Sequence, residues 1–98
     1  MVAVLERAKN RELPEAAKRY TSPQVRLLVA LCRELQREVG DKPFILPASV
    51  VDKLLGLEGI KMRASRWLSG LVRDGVLDLV ERGGPEGHRP NRYRYLGD

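Results

Sequence analysis

Three glycines, Gly40, Gly56 and Gly75, each stand directly behind a stretch whose apolar residues recur at helical spacing, and this repetition limits what the chain can become. In the first stretch Val25, Leu28, Leu31, Cys32, Leu35 and Val39 mark one face. Ser22 followed by Pro23 opens it, because a serine oxygen can cap the free amides of a first turn and proline's fixed φ suits the first helical position. The spacing predicts a helix over 23–39. A second helix is expected from about Pro47 to Leu55, burying Val50 or Val51 with Leu54 and Leu55, and a third over about 61–74 after a turn containing Gly59. At 98 residues, 43% apolar and 32% charged, the chain has material for one core and one domain.

Between and beyond these helices the period changes. Phe44, Ile45 and Leu46 form a short apolar run between Pro43 and Pro47, which suits a brief edge strand. Val76 to Glu81 alternates with Leu77 and Leu79 on one face; Asn91 to Leu96 alternates with Tyr93 and Tyr95 on one face and Arg92 and Arg94 on the other. The stretch from Gly83 to Pro90 joins them as a glycine-rich, basic hairpin tip. Upstream, Val4, Leu5 and Ala8, then Leu13, Ala16, Ala17 and Tyr20, read as one or two short helices broken near Pro14. Residues 1–21 are thus an N-terminal helical extension or linker, and 22–98 the domain proper. Three placements of residues 2–20 stay open: packed on the domain, paired in a homodimer, or leading to a larger protein. The expected class is mainly α with a small β-hairpin, an α+β fold.

Several classes of function are disfavoured for want of parts. The apolar run from Leu27 to Cys32 falls far short of the ~20 residues that span a bilayer, and Met1 to Leu5 is too short for a signal-peptide core, so a cytoplasmic protein without membrane contact is expected. One cysteine, Cys32, cannot close an internal disulfide, and with one histidine, His88, there is no zinc ligand set, so neither metal nor cofactor is expected. Cys32 on an apolar helix reads as a buried structural thiol. There is no phosphate-cradling Walker pattern, no histidine beside a serine or cysteine, and no carboxylate cluster; Asp74 and Asp78 read as a helix end and a strand surface. The expectation is a protein that is not an enzyme.

Charge points to a partner. The net charge is +5 and the pI about 9.8, which makes polyanions the first candidates. Residues 21–60 carry five basic and five acidic side chains, whereas residues 1–20 carry five against three and residues 61–98 eight against five. Arginine outnumbers lysine thirteen to five, and its planar fork suits bidentate contact with phosphate or guanine.

The stretch Ala64-Ser65-Arg66-Trp67-Leu68-Ser69-Gly70-Leu71-Val72-Arg73-Asp74-Gly75-Val76-Leu77, set behind a short helix and before two strands, resembles the winged helix-turn-helix DNA-binding domains. The likeness covers roughly residues 22–96 and implies three core helices plus the N-terminal segment and a wing. Geometry adds to it independently. At 100° per residue Trp67, Leu68, Leu71 and Gly75 fall within about 60° of Ala64 as a core stripe, while Met62, Arg66, Ser69 and Arg73 point away and Arg63 and Ser65 lie on the flanks. The resemblance implies double-stranded DNA as the partner, with a recognition helix over about 61–74 in the major groove and a basic wing over about 82–94 along the neighbouring backbone. On the helix it points to Arg63, Ser65 and Arg66, with Lys61 at the entry; on the wing it assigns contact to Arg89 and His88, and Arg82, Arg92 and Arg94 are further candidates because they surround the same glycine-rich loop. Arg73, two turns beyond Arg66, suits phosphate or solvent. The turn over residues 56–60 runs roughly two residues longer than the usual three to four, which leaves the standing of Lys61 and Met62 open.

Two roles fit: a small transcription regulator, or the DNA-docking module of a replication protein. The ending from Gly87 to Leu96 is similar to wings of phage and plasmid replication proteins and of primase-polymerase tails. The alternative from another class is a winged-helix module that binds protein and no DNA.

Overall fold

The computed structural model describes residues 2–56, 63–81 and 91–97. Along them the chain forms helix α1 (Val2–Asn10), a 3-10 turn (Glu15–Arg19), helix α2 (Pro23–Val39), strand β1 (Phe44–Ile45), helices α3 (Ala48–Leu55) and α4 (Arg63–Arg73), and strands β2 (Leu77–Glu81) and β3 (Arg92–Tyr95). It is a mostly helical α+β fold with a small antiparallel sheet.

Helix α2 starts where the sequence places it. The Ser22 hydroxyl accepts from the Val25 amide at 3.4 Å, and Pro23 is the first helical residue. The middle of α2 is buried more completely than a one-sided stripe requires. Leu28, Val29, Ala30, Leu31 and Cys32 are all fully buried, and five consecutive residues turn through a whole circle at about 100° each. A helix covered all round needs partners on both sides. Here α1 and the 3-10 turn cover one, and α3, β1 and β3 the other. Val4, Leu5, Ala8, Ala16 and Ala17 join the same core, so the apolar side of the N-terminal segment is occupied within the chain itself. Cys32 lies at the centre, and burial pushes its thiol pKa far up, as suits a structural residue.

One charge is buried between α1 and α2. Glu34 is 2% exposed; it accepts a hydrogen bond from Arg37 Nη1 at 3.0 Å and forms ion pairs with Arg11 Nε at 3.0 Å, Arg7 Nε at 3.7 Å and Arg33 Nε at 3.9 Å. Arg7 also pairs with Glu38. A carboxylate can leave water only with such partners. Glu34 thus ties α1 to α2 by charge where Val4, Leu5 and Ala8 tie it by apolar burial.

The strands pair in the order β1-β3-β2, all antiparallel, with Phe44 opposite Tyr93, and Leu77, Asp78 and Leu79 opposite Tyr95, Arg94 and Tyr93. β1 is an edge strand, as its flanking prolines require. The Phe44 and Tyr93 rings lie 6.1 Å apart at 35°. Phe44, Leu77, Leu79, Tyr93 and Tyr95 face the helices; Ile45, Asp78, Arg92 and Arg94 form the outer face. The register shifts between Leu79 and Glu81, so Val80 sits at a bulge and Glu81 meets Arg92.

The end of α4 is a Schellman turn. Gly75 takes a φ of +80°, its amide donates to Val72 O at 3.1 Å, and the Val76 amide donates to Leu71 O at 2.9 Å, which satisfies two terminal carbonyls and turns the chain directly into β2. Among the described residues no helix is long and apolar enough to cross a membrane.

Candidate nucleic-acid interface

Helix α4 has a strict division of faces. Ala64, Leu68 and Leu71 are buried and Trp67 and Val72 pack beside them, while Arg63, Ser65, Arg66, Ser69 and Arg73 are exposed. It is the one described α-helix whose charged side chains are all cations; α1 carries Glu6, α2 Glu34 and Glu38, and α3 Asp52. Elsewhere many cations are offset locally: Arg7, Arg11 and Arg37 by Glu34 and Glu38, and Lys18 by Glu15.

The three arginines of α4 differ in their surroundings. The Arg63 guanidinium lies over the Trp67 ring, 6.0 Å from its centroid. Arg73 Nε is 3.9 Å from Asp74 Oδ1. Arg66 has no partner among the described residues.

Asp74 is itself clasped from a distant part of the chain. Its Oδ2 accepts from the Tyr20 hydroxyl at 2.7 Å, and its carbonyl accepts from Arg19 Nη1 at 3.1 Å, at the end of a helix where terminal carbonyls lack partners. Arg26 Nε donates to the Tyr20 carbonyl. Partial burial, and then the bond to the Asp74 carboxylate, push the Tyr20 phenol up to about 12. The segment ahead of α2 therefore fixes the far end of α4.

Between α4 and the β2–β3 pair runs an open groove of about 420 Å³ lined by Ser65, Ser69, Val72, Arg73, Leu79, Asn91 and Tyr93. Among the described residues that line it there is no carboxylate. Ser65 and Ser69 stand one turn apart on its helical wall, and Asn91 Nδ2 donates to the Tyr93 hydroxyl at 3.2 Å on the other.

Of the residues singled out from sequence, Arg63, Ser65 and Arg66 come together on the outer side of α4. Arg92 and Arg94 lie on the sheet face opposite Tyr93, away from the groove. Arg92 Nε is 3.6 Å from Glu81 Oε2, and Arg94 Nη2 donates to the Asp41 carbonyl at 3.0 Å with Asp78 opposite in the sheet. Lys61, Arg82, His88 and Arg89 lie outside the described residues. Sequence reasoning passed over Ser69 and Asn91, although the four-residue step from Ser65 to Ser69 and on to Arg73 already sets a polar row along one side of α4.

Fold and surface together define an α+β protein with an arginine-faced helix beside a strand pair. Comparison with protein-family models, with curated proteins and with solved structures finds no match.

Proposed function

We propose that this chain is a non-catalytic, winged helix-turn-helix type protein that binds double-stranded DNA. The observation that carries the reading is the exposed face of α4, where Arg63, Arg66 and Arg73 stand among serines with no acidic side chain on the helix. A helix fits the major groove of B-DNA, about 12 Å wide, and arginines on its outer side meet both base edges and phosphates there. The element order, two helices followed by two antiparallel strands with the helical core behind, supports the winged-helix assignment. The groove beside α4, whose described lining carries no carboxylate, suits a sugar-phosphate strand, with the Ser65, Ser69 and Asn91 side chains as hydrogen-bond donors. Arg92 and Arg94, already engaged by Glu81 and Asp41, carry a smaller share of the contact than the α4 arginines. In the cell the role is that of a small transcription regulator or the docking module of a replication protein.

The test is a salt titration on a random duplex by fluorescence anisotropy. Contact with four to six phosphates gives a slope of log affinity against log salt of roughly −4 to −5. Arg63→Ala/Arg66→Ala should weaken binding at least tenfold and flatten the slope by about 1 to 2, whereas Lys9→Ala/Lys42→Ala, an equal loss of exposed charge elsewhere, should have little effect. Equal weakening by both pairs, or no duplex binding by the native protein, would refute the reading and leave a protein-interaction module in its place.

A further inference from the structure

We propose that Arg66 is the base-reading residue of α4 and that the duplex it selects carries a guanine at the position it meets. The inference rests on the DNA-binding reading above and adds a division of labour among its arginines. Two separate observations single out Arg66.

The first is direction. Measured from the buried stripe of Ala64, Leu68 and Leu71, Arg66 and Arg73 point almost straight away from the core, whereas Arg63 is turned to the flank at about 100° from Ala64. Of the two that point outward, Arg66 lies in the N-terminal half of α4, the half that enters a groove in helix-turn-helix docking, and Arg73 is its last residue. The second observation is engagement. Arg63 is held over the Trp67 ring and Arg73 lies against the Asp74 carboxylate, which is in turn held by Tyr20. Arg66 alone among them has no described partner, so all five donors of its fork are available without breaking an existing contact.

A guanidinium with an unoccupied fork pairs with guanine by two parallel hydrogen bonds to O6 and N7, an acceptor pair that no other base presents in the major groove. Arg63 and Arg73, fixed at the sides and end of the helix, are placed to meet phosphates, which carry no sequence information. Ser65 and Ser69, too short to pass Arg66, line the groove beside it.

Binding sites would be selected from a randomised duplex with the native protein, Arg66→Ala, Arg66→Lys and Arg63→Ala, after circular dichroism confirms equal helicity. Arg66 is exposed, and alanine is a good helix former, so the variants should fold. The native protein should prefer guanine at one position by about tenfold or more. Arg66→Ala should lose that preference while still binding duplex, Arg66→Lys should retain only part of it, and Arg63→Ala should weaken all sequences alike. Placing 7-deazaguanine at the selected position, which removes N7, should weaken the native protein and leave Arg66→Ala unchanged. A guanine preference that survives Arg66→Ala, or that disappears in Arg63→Ala, overturns the proposal while duplex binding stands. Duplex binding without any guanine preference overturns it too, and absence of duplex binding overturns both readings.

Discussion

Replacing Glu34 by glutamine keeps the shape of the side chain and removes its charge from between α1 and α2. Two contacts lie at 3.0 Å, a hydrogen bond from Arg37 and an ion pair with Arg11. A hydrogen bond to a charged group contributes about 1.5–3 kcal/mol when its surroundings are dry. Both arginine side chains are about half exposed, 52% and 51%, so water takes over much of their solvation once the carboxylate is gone, and each contact is worth about 1 kcal/mol. The Arg7 and Arg33 contacts, at 3.7 and 3.9 Å, add little. Glu34→Gln should therefore lower stability by about 2 kcal/mol, or the melting temperature by roughly 8–16 °C for a domain of this size. Glu38→Gln removes a charge of the same sign one turn away whose side chain is 48% exposed, and should stay within about 0.5 kcal/mol of the native protein. Urea denaturation followed by circular dichroism measures both. A Glu34→Gln loss under about 0.5 kcal/mol, or equal losses in the two variants, would show that the guanidinium cluster does not hold α1 in place.

Tyr20→Phe deletes the bond to Asp74 and should cost about 1 kcal/mol in urea denaturation. Because the folded phenol binds its proton more tightly than the unfolded one, Tyr20 supports folding fully below pH 10, and that support fades as pH rises from 10 through about 12. The Tyr20→Phe variant should therefore show a shallower loss of stability across that window, and parallel curves would contradict the assignment. Gly70 is helical, and a Cβ added there would meet only Arg73 Nη2 at 3.8 Å among the described atoms, so Gly70→Ala should raise stability by about 0.5–1 kcal/mol; a lower urea midpoint would count against that geometry.

What the sequence made legible were features decided by neighbours a few residues apart. The Ser22–Pro23 start of α2, the glycine after each of α2, α3 and α4, and the alternation of Tyr93 and Tyr95 with Arg92 and Arg94 all follow from local spacing and recur in the structure. What it hid depends on distant partners. Glu34 looks like one more charge on α2 until Arg11, far upstream, is brought against it. The clasp of Asp74 by Arg19 and Tyr20 joins residues more than 50 positions apart. The placement of residues 2–20 was open because an amphipathic helix has the same pattern whatever surface covers it, and here α2 does. The candidate site divides likewise. Helical spacing placed Arg63, Ser65 and Arg66 on the outside of α4, but the engagement of Arg92 by Glu81 depends on a bulge at Val80 that alternation does not announce.

The sheet order has a consequence for how the molecule is made. β3 is the central strand and the last in chain order, and its partner β1 lies about fifty residues earlier. During synthesis the helices can assemble as they emerge, since their contacts are largely near in sequence, but β1 has no strand to join until residues 92–95 leave the ribosome. Until then Phe44, Leu77 and Leu79 lack the tyrosines that cover them. A message cut just short of Arg92 would yield a chain with helices in hand and an open apolar face, a product suited to capture by chaperones and proteases.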